Sequence, residues 1–190
     1  AGINNGSYIG ALIAQTADNT LLGDGTDANK NTISSPDINI SGDIKAASYI
    51  GGAIGDHAGN TTDRISVVKK LVVTSPKIKI NNYSAGTSLT GGVFGRVSTY
   101  TAVDGVELTG ASLSFTKDLG VAQQIGTFAG TITGNATQQI SVKNVTIDKS
   151  ELTFGSSNTS KTVGLKAGVI GQVSTNVLLD TWKVTGDSKV

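Results

Sequence analysis

The only histidine, His57, stands beside Asp56 at the end of an apolar stretch, and an imidazole next to a carboxylate is the smallest general-base unit a sequence offers. In an extended strand, however, neighbours point to opposite faces, so these two do not form a dyad. His57 also aligns with Val97, Ile132 and Val173 further along the chain, which marks an edge or capped core position. A hydrolase on a β scaffold needs acids converging with Arg, Lys or a His-assisted nucleophile. The chain has only Arg64 and Arg96, no cysteine, and no G-x-S-x-G, phosphate-loop or dinucleotide pattern. It reads as a protein that is not an enzyme, with no catalytic residues.

One phrase has the look of a metal loop. In Gly23-Asp24-Gly25-Thr26-Asp27-Ala28-Asn29-Lys30-Asn31, the residues Asp27, Asn29 and Asn31 supply oxygens at alternate positions, as calcium loops do, with Asp24 close by. Thr32 and Ile38 stand where such a loop has its glycine and terminal glutamate. Calcium and a polar surface turn are the two readings, and no other cofactor is implied. Asn-x-Ser/Thr sequons occur at Asn5, Asn39, Asn60, Asn82, Asn135, Asn144 and Asn158. They fit either a glycosylated surface protein or an unmodified Thr/Asn-rich β surface.

The elements that would position these residues are repeats. Gly10 to Thr16, Gly51 to His57, Gly91 to Val97, Gly126 to Ile132 and Ala167 to Val173 are versions of one glycine strand. Their fifth residues, Ala14, Gly55, Gly95, Gly130 and Gly171, lie 41, 40, 35 and 41 residues apart. Self-similarity at that period is the signature of a stacked repeat architecture. A second block follows each glycine strand with the pattern V-x-x-V-x-V, three turn residues, then x-L-x-F. Val68 to Ile80, Val103 to Phe115 and Val142 to Phe154 align on it without a gap. Ile38 to Lys45 and Trp182 to Lys189 resemble each other and read as shortened versions of the same block, sharing a deletion.

Period-2 alternation sets Leu71 and Val73, Val106 and Leu108, Val145 and Ile147, and Trp182 and Val184 inward, with Val72, Glu107, Thr146 and Lys183 outward. Ile78 and Ile80, Leu113 and Phe115, and Leu152 and Phe154 form the next inward pairs. The glycine strand is apolar or small on both faces, so something covers its outer side, either loops of this chain or a second protein. Gly10, Gly51, Gly91, Gly95, Gly126, Gly130 and Gly171 are read as places of close backbone approach and tight bends. The expectation is an all-β fold, a parallel β-solenoid of about five coils, with a layered β-sandwich as the alternative. It forms a single repeat domain over 1–190, with copies near 7–45, 46–82, 83–118, 119–160 and 161–190.

The glycine strands resemble the GLUG motif, a short repeat of large secreted bacterial surface proteins. Gly51 to Gly55, Gly91 to Gly95 and Gly168 to Gly171 match it best, and Ala11 to Ala14 and Thr127 to Gly130 depart from it. The resemblance implies an adhesin-like, secreted or surface-attached repeat region.

Composition sets further bounds. Charged residues are 15% and the net charge is +1, which gives no reason to expect nucleic acid or an anionic membrane as partner. No apolar run approaches the roughly 20 residues of a membrane span. Without cysteine or methionine, and beginning at Ala1, the chain reads as a processed form or an excised segment. The absence of regular threonine columns argues against an ice-binding face. The functional expectation is a non-enzymatic extracellular or cell-surface protein, structural or adhesive, self-assembling by end-to-end or lateral β stacking into a filament, layer or adhesin stalk, whose partners are copies of itself or neighbouring repeats. Val184 to Val190 resembles Ile40 to Lys45, so the last coil reads as the natural predecessor of the first coil of another molecule. The alternative is a carbohydrate-binding module for surface glycans, with Tyr8, Tyr49, Tyr83, Tyr100 and Trp182 as stacking platforms. Tyr8, Tyr49 and Trp182 align with core positions, which favours packing for those three.

Overall fold

The computed structural model describes residues 5–83, 86–117, 123–155 and 165–189, and among them there are strands but no helix. Coil 1 holds β1 (Ser7–Gly10), β2 (Ile13–Gln15), β3 (Leu21–Leu22), β4 (Asn31–Ser34) and β5 (Asp37–Ile44). Coil 2 holds β6 (Ser48–Gly51), β7 (Ile54–His57), β8 (Ser66–Thr74) and β9 (Lys77–Tyr83). Coil 3 holds β10 (Leu89–Gly91), β11 (Phe94–Val97), β12 (Thr101–Thr109) and β13 (Ser112–Phe115). Coil 4 holds β14 (Gln124–Thr133), β15 (Ile140–Asp148) and β16 (Glu151–Phe154), and coil 5 holds β17 (Lys166–Ser174) and β18 (Val177–Thr185).

Coils 1 to 4 pass through three sheets and coil 5 has strands in the first two, and every pairing is parallel, from one coil to the next, as in a β-solenoid. The glycine strands form the first sheet and the V-x-x-V-x-V strands the second, each five layers deep. The third sheet runs β16-β13-β9-β5, and Lys189 begins a further layer by bridging Glu151. Equivalent residues therefore stack in columns. Ile33, Val73, Leu108, Ile147 and Val184 make one, and Ile38, Ile78, Leu113 and Leu152 another. Within coils 2 to 4 these inward side chains are almost completely buried. Such a coil has no core without its neighbours, since its inward side chains pack against the layers above and below.

Two left-handed columns explain the spacing of the second block. Lys70, Gly105, Asn144 and Thr181 have φ of 51°, 78°, 53° and 57° in the middle of the strands of the second sheet. The bend at these positions turns Val68 and Leu71, three apart, to the same side, which is why the motif opens V-x-x-V and not V-x-V. Ser35, Ser75, Gly110, Lys149 and Gly186 form the second column, at φ between 49° and 71°, where the second sheet turns into the third.

Registers also correct the alignment of the first and last copies. Trp182 and Val184 stand in the columns of Asn31 and Ile33, whereas Ile38 and Ile40 belong with Ile78 and Ile80 in the third sheet. Coil 1 thus has both blocks, its first being Asn31-Thr32-Ile33-Ser34, and the likeness of 38–45 to 182–189 is not one of place. That likeness therefore gives no support for placing the last coil before Ser7-Tyr8-Ile9-Gly10 of another molecule. A polar Asn at an inward position and a long insertion hid the true match.

Candidate functional site

The glycine strands bend sharply after their first glycines. Ala53 N and Ile54 N both donate to Val93 O, and Val93 N donates to Phe128 O, so the chain bulges there and places Val93 and Phe94 both in the core. Beyond the bend the second arm lies against the first arm of the preceding coil. A Cβ on Gly55 would sit 2.7 Å from Ile9 N, one on Gly95 2.5 Å from Ile50 N, one on Gly130 2.5 Å from Thr90 N, and one on Gly171 2.4 Å from Ile125 N. Gly10, Gly51, Gly91 and Gly126 face the carbonyl of the residue three ahead, at 1.9 to 2.1 Å from a built Cβ. The cover of this sheet's outer side is therefore the strand's own other arm, and not the loops or second protein that the sequence suggests.

On this sheet Gln15, Asp56, Arg96, Thr131 and Gln172 share one column. The Asp56 carboxylate is fully buried and takes two bonds from Arg96, Nε and Nη2 each at 2.8 Å, and one from Gln15 Nε2 at 3.1 Å. Burial opposes the Arg96 charge, but the bonds and charge of Asp56 outweigh it and raise its basicity. Arg96 also lies 4.4 Å over the Tyr49 ring, and Tyr49 stacks at 5.2 Å on Tyr8. His57 faces elsewhere: Nδ1 is 3.1 Å from Thr16 Oγ1 and Nε2 3.4 Å from Ala102 O, which accepts. Burial lowers its pKa to about 4, against smaller raising effects of Ala102 and Asp56. Asp56 and His57 thus have separate partners, as strand alternation requires.

Between β3 and β4, residues 23–30 replace the left-handed bend of the other coils. Asp24 Oδ1 accepts from Thr26 N at 2.8 Å and Thr26 Oγ1 at 2.7 Å, and Oδ2 accepts from Asn29 Nδ2 at 2.5 Å. Those bonds, Asn29 foremost, lower its pKa to about 2. Asp27 turns away to Lys70 at 3.1 Å, and Asn31 begins β4. Of the four candidate calcium ligands Asp24 and Asn29 thus meet while Asp27 pairs with Lys70, and among the described residues no three His, Cys, Asp or Glu side chains gather as a metal group.

The sequons are scattered over the surface. Asn5, Asn39, Asn60 and Asn144 are exposed, Asn82 and Asn135 are half-buried, and Asn158 lies outside the described residues. Asn144 donates to Asp104 and Asn82 to Asp43, while Asn135 Oδ1 closes its own turn with Thr137 and Gln138. Of the aromatics, Tyr83 is wholly buried with its hydroxyl 2.6 Å from Thr90 Oγ1, and burial pushes its pKa well up. Tyr8, read as core, is instead 43% exposed, because its column runs out at coil 1. Trp182 lies edge-on to Phe128 at 4.9 Å, with Nε1 donating to Val142 O. A cleft of about 330 Å³ opens over the left-handed column, where Gly105 leaves a notch between Lys70 and Asn144. In it Glu107, Thr146 and Lys183 stack in one column, none with a side-chain bond among the described residues.

The two ends of the stack are the feature that alternation alone did not single out. Large exposed apolar side chains among the described residues are Tyr8, Leu12 and Leu21 in coil 1, Leu165, Val173, Leu178, Leu179 and Val184 in coil 5, and Ile65 between. Eight of these nine therefore sit at the ends, beside strand edges that have no neighbour among the described residues. Such edges template further strands.

No family model, no curated protein and no solved structure matches this chain.

Proposed function

We propose that the protein is a non-enzymatic structural module of an extracellular or cell-surface assembly, joined end to end through its open coils. The observation that carries this is the concentration of exposed apolar side chains, with free parallel strand edges, in coils 1 and 5. A solenoid end of this kind is a poor terminus in water and a good seat for another coil. The resemblance to the GLUG motif adds the surface setting. Sedimentation velocity over a hundredfold range of concentration tests the reading. The mass rises with concentration for the parent chain and stays monomeric for Val184→Glu, and a parent chain that remains monomeric throughout contradicts it.

A second reading, binding of surface glycans, is favoured by the cleft in which Glu107, Thr146 and Lys183 have no side-chain partner among the described residues. Calorimetry with neutral and acidic oligosaccharides checks it. Heat of binding that Glu107→Gln abolishes supports it, and no heat with either class removes it.

A further inference from the structure

We propose that the partner at each open end is a second copy of this chain, docked head to tail, with the free edge of coil 5 on the free edge of coil 1 in the register that already joins the coils. The proposal deepens the assembly reading and rests on it. All described coil-to-coil pairings are parallel, and their register is continuous apart from one-residue shifts between Gly126 and Ala129 and between Ile40 and Asp43, so the edge left free by β17 and β18 is the same kind of edge that coils 1 to 4 present to their successors. The edge left free by coil 1 is its complement. Contact between like ends would run strands in opposite directions and lose the columns.

In the head-to-tail register, columns that end at coil 5 of one copy resume at coil 1 of the next. Leu178 falls on Leu21, because both belong to the column of Val67, Ala102 and Ser141. By the same reasoning Leu179 falls on Leu22 and Val184 on Ile33. These pairs bring together side chains exposed by 37% at Leu178, 40% at Leu179, 48% at Val184 and 64% at Leu21. Trp182 meets Asn31, the polar member of its column, so that column contributes least.

Polar groups match as well. Lys166 ends the column of Tyr49 and Tyr8, and falls on the Tyr8 ring of the next copy. Tyr49 already carries the Arg96 cation, so a cation on a ring is a contact this sheet makes inside the chain. Gln172 falls on Gln15 and Lys189 on Asp37, so none of these pairs sets like charges together. The insertion at 23–30 reaches toward coil 2, with Asp27 on Lys70.

The test uses the absence of cysteine from the chain. Leu21→Cys and Leu178→Cys are made singly and together. Stacked neighbours lie about 4.8 Å apart, within disulfide reach, whereas the two sites of one chain lie about 19 Å apart, across four layers. Under mild oxidation the double variant is expected to give a ladder of covalent multimers, and a mixture of the two single variants a dimer containing one of each. Ile33→Cys with Val184→Cys repeats the experiment on a second column. Homodimers from either single variant overturn the polarity. No disulfide from either pair, with growth in mass still seen, overturns the register and leaves end-to-end assembly standing. No disulfide and no growth in mass overturn both.

Discussion

Arg96 reaches back one coil to hold the Asp56 carboxylate through two bonds of 2.8 Å, and Asp56 is completely shielded from water. The pair fastens coil 3 to coil 2, and Gln15 of coil 1 donates to the same carboxylate. Removing one partner strands the other, whereas replacing both leaves a packed apolar contact. Arg96→Ala is expected to cost roughly 3–5 kcal/mol, and Arg96→Met with Asp56→Leu together much less than that. Urea midpoints of the two variants check it, and equal losses would refute it.

His57 predicts the acid response. Its folded pKa of about 4 lies below its ordinary value of 6.5, with burial as the main cause. The unfolded chain therefore binds the extra proton first, and stability that is complete above pH 6.5 falls as the pH drops toward 4. The full loss is about 3 kcal/mol on the usual conversion of pKa to free energy. In His57→Val, which copies the residue of the stacked neighbour Val97, denaturant midpoints should vary far less between pH 6.5 and 4.

The left-handed columns predict a gain. Thr181 is β-branched at φ 57°, a conformation that suits glycine. Thr181→Gly should stabilise by about 1 kcal/mol, read as a raised melting temperature. Gly105→Val, at φ 78° with a Cβ 3.2 Å from the Lys70 side chain, should lower it.

The glycine arms predict a loss that no side chain explains. A Cβ at Gly95 meets backbone atoms at 2.4 and 2.5 Å, Gly55 O and Ile50 N. Gly95→Ala should destabilise by about 2 kcal/mol or more, because two backbones must move apart. Gly168→Ala, whose nearest such atom is 3.5 Å away, should be near neutral.

Much of this architecture was legible because columns write themselves into the sequence. Once Val73, Leu108 and Ile147 align, stacking in register follows, and His57 takes its place beside Val97 and Ile132. Three things were not legible. The left-handed bend is occupied by Lys70, Gly105, Asn144 and Thr181, residue types too different to form a motif, and its trace was the odd V-x-x-V spacing. Coil 1 was misaligned because Asn31 stands where every other coil has Leu, Val or Trp, and because residues 23–30 interrupt the strand. The end surfaces needed three dimensions, since Leu178 and Leu21 look like any other outward residue until their columns are seen to stop.

End-to-end assembly is tested most directly by electron microscopy of the concentrated protein. Five layers at about 4.8 Å give each copy an axial rise of about 24 Å. Filaments of single-molecule width with that repeat are the expected result, and they should be lost in Val184→Glu. Monodisperse single particles, or flat sheets without the axial repeat, would contradict the account.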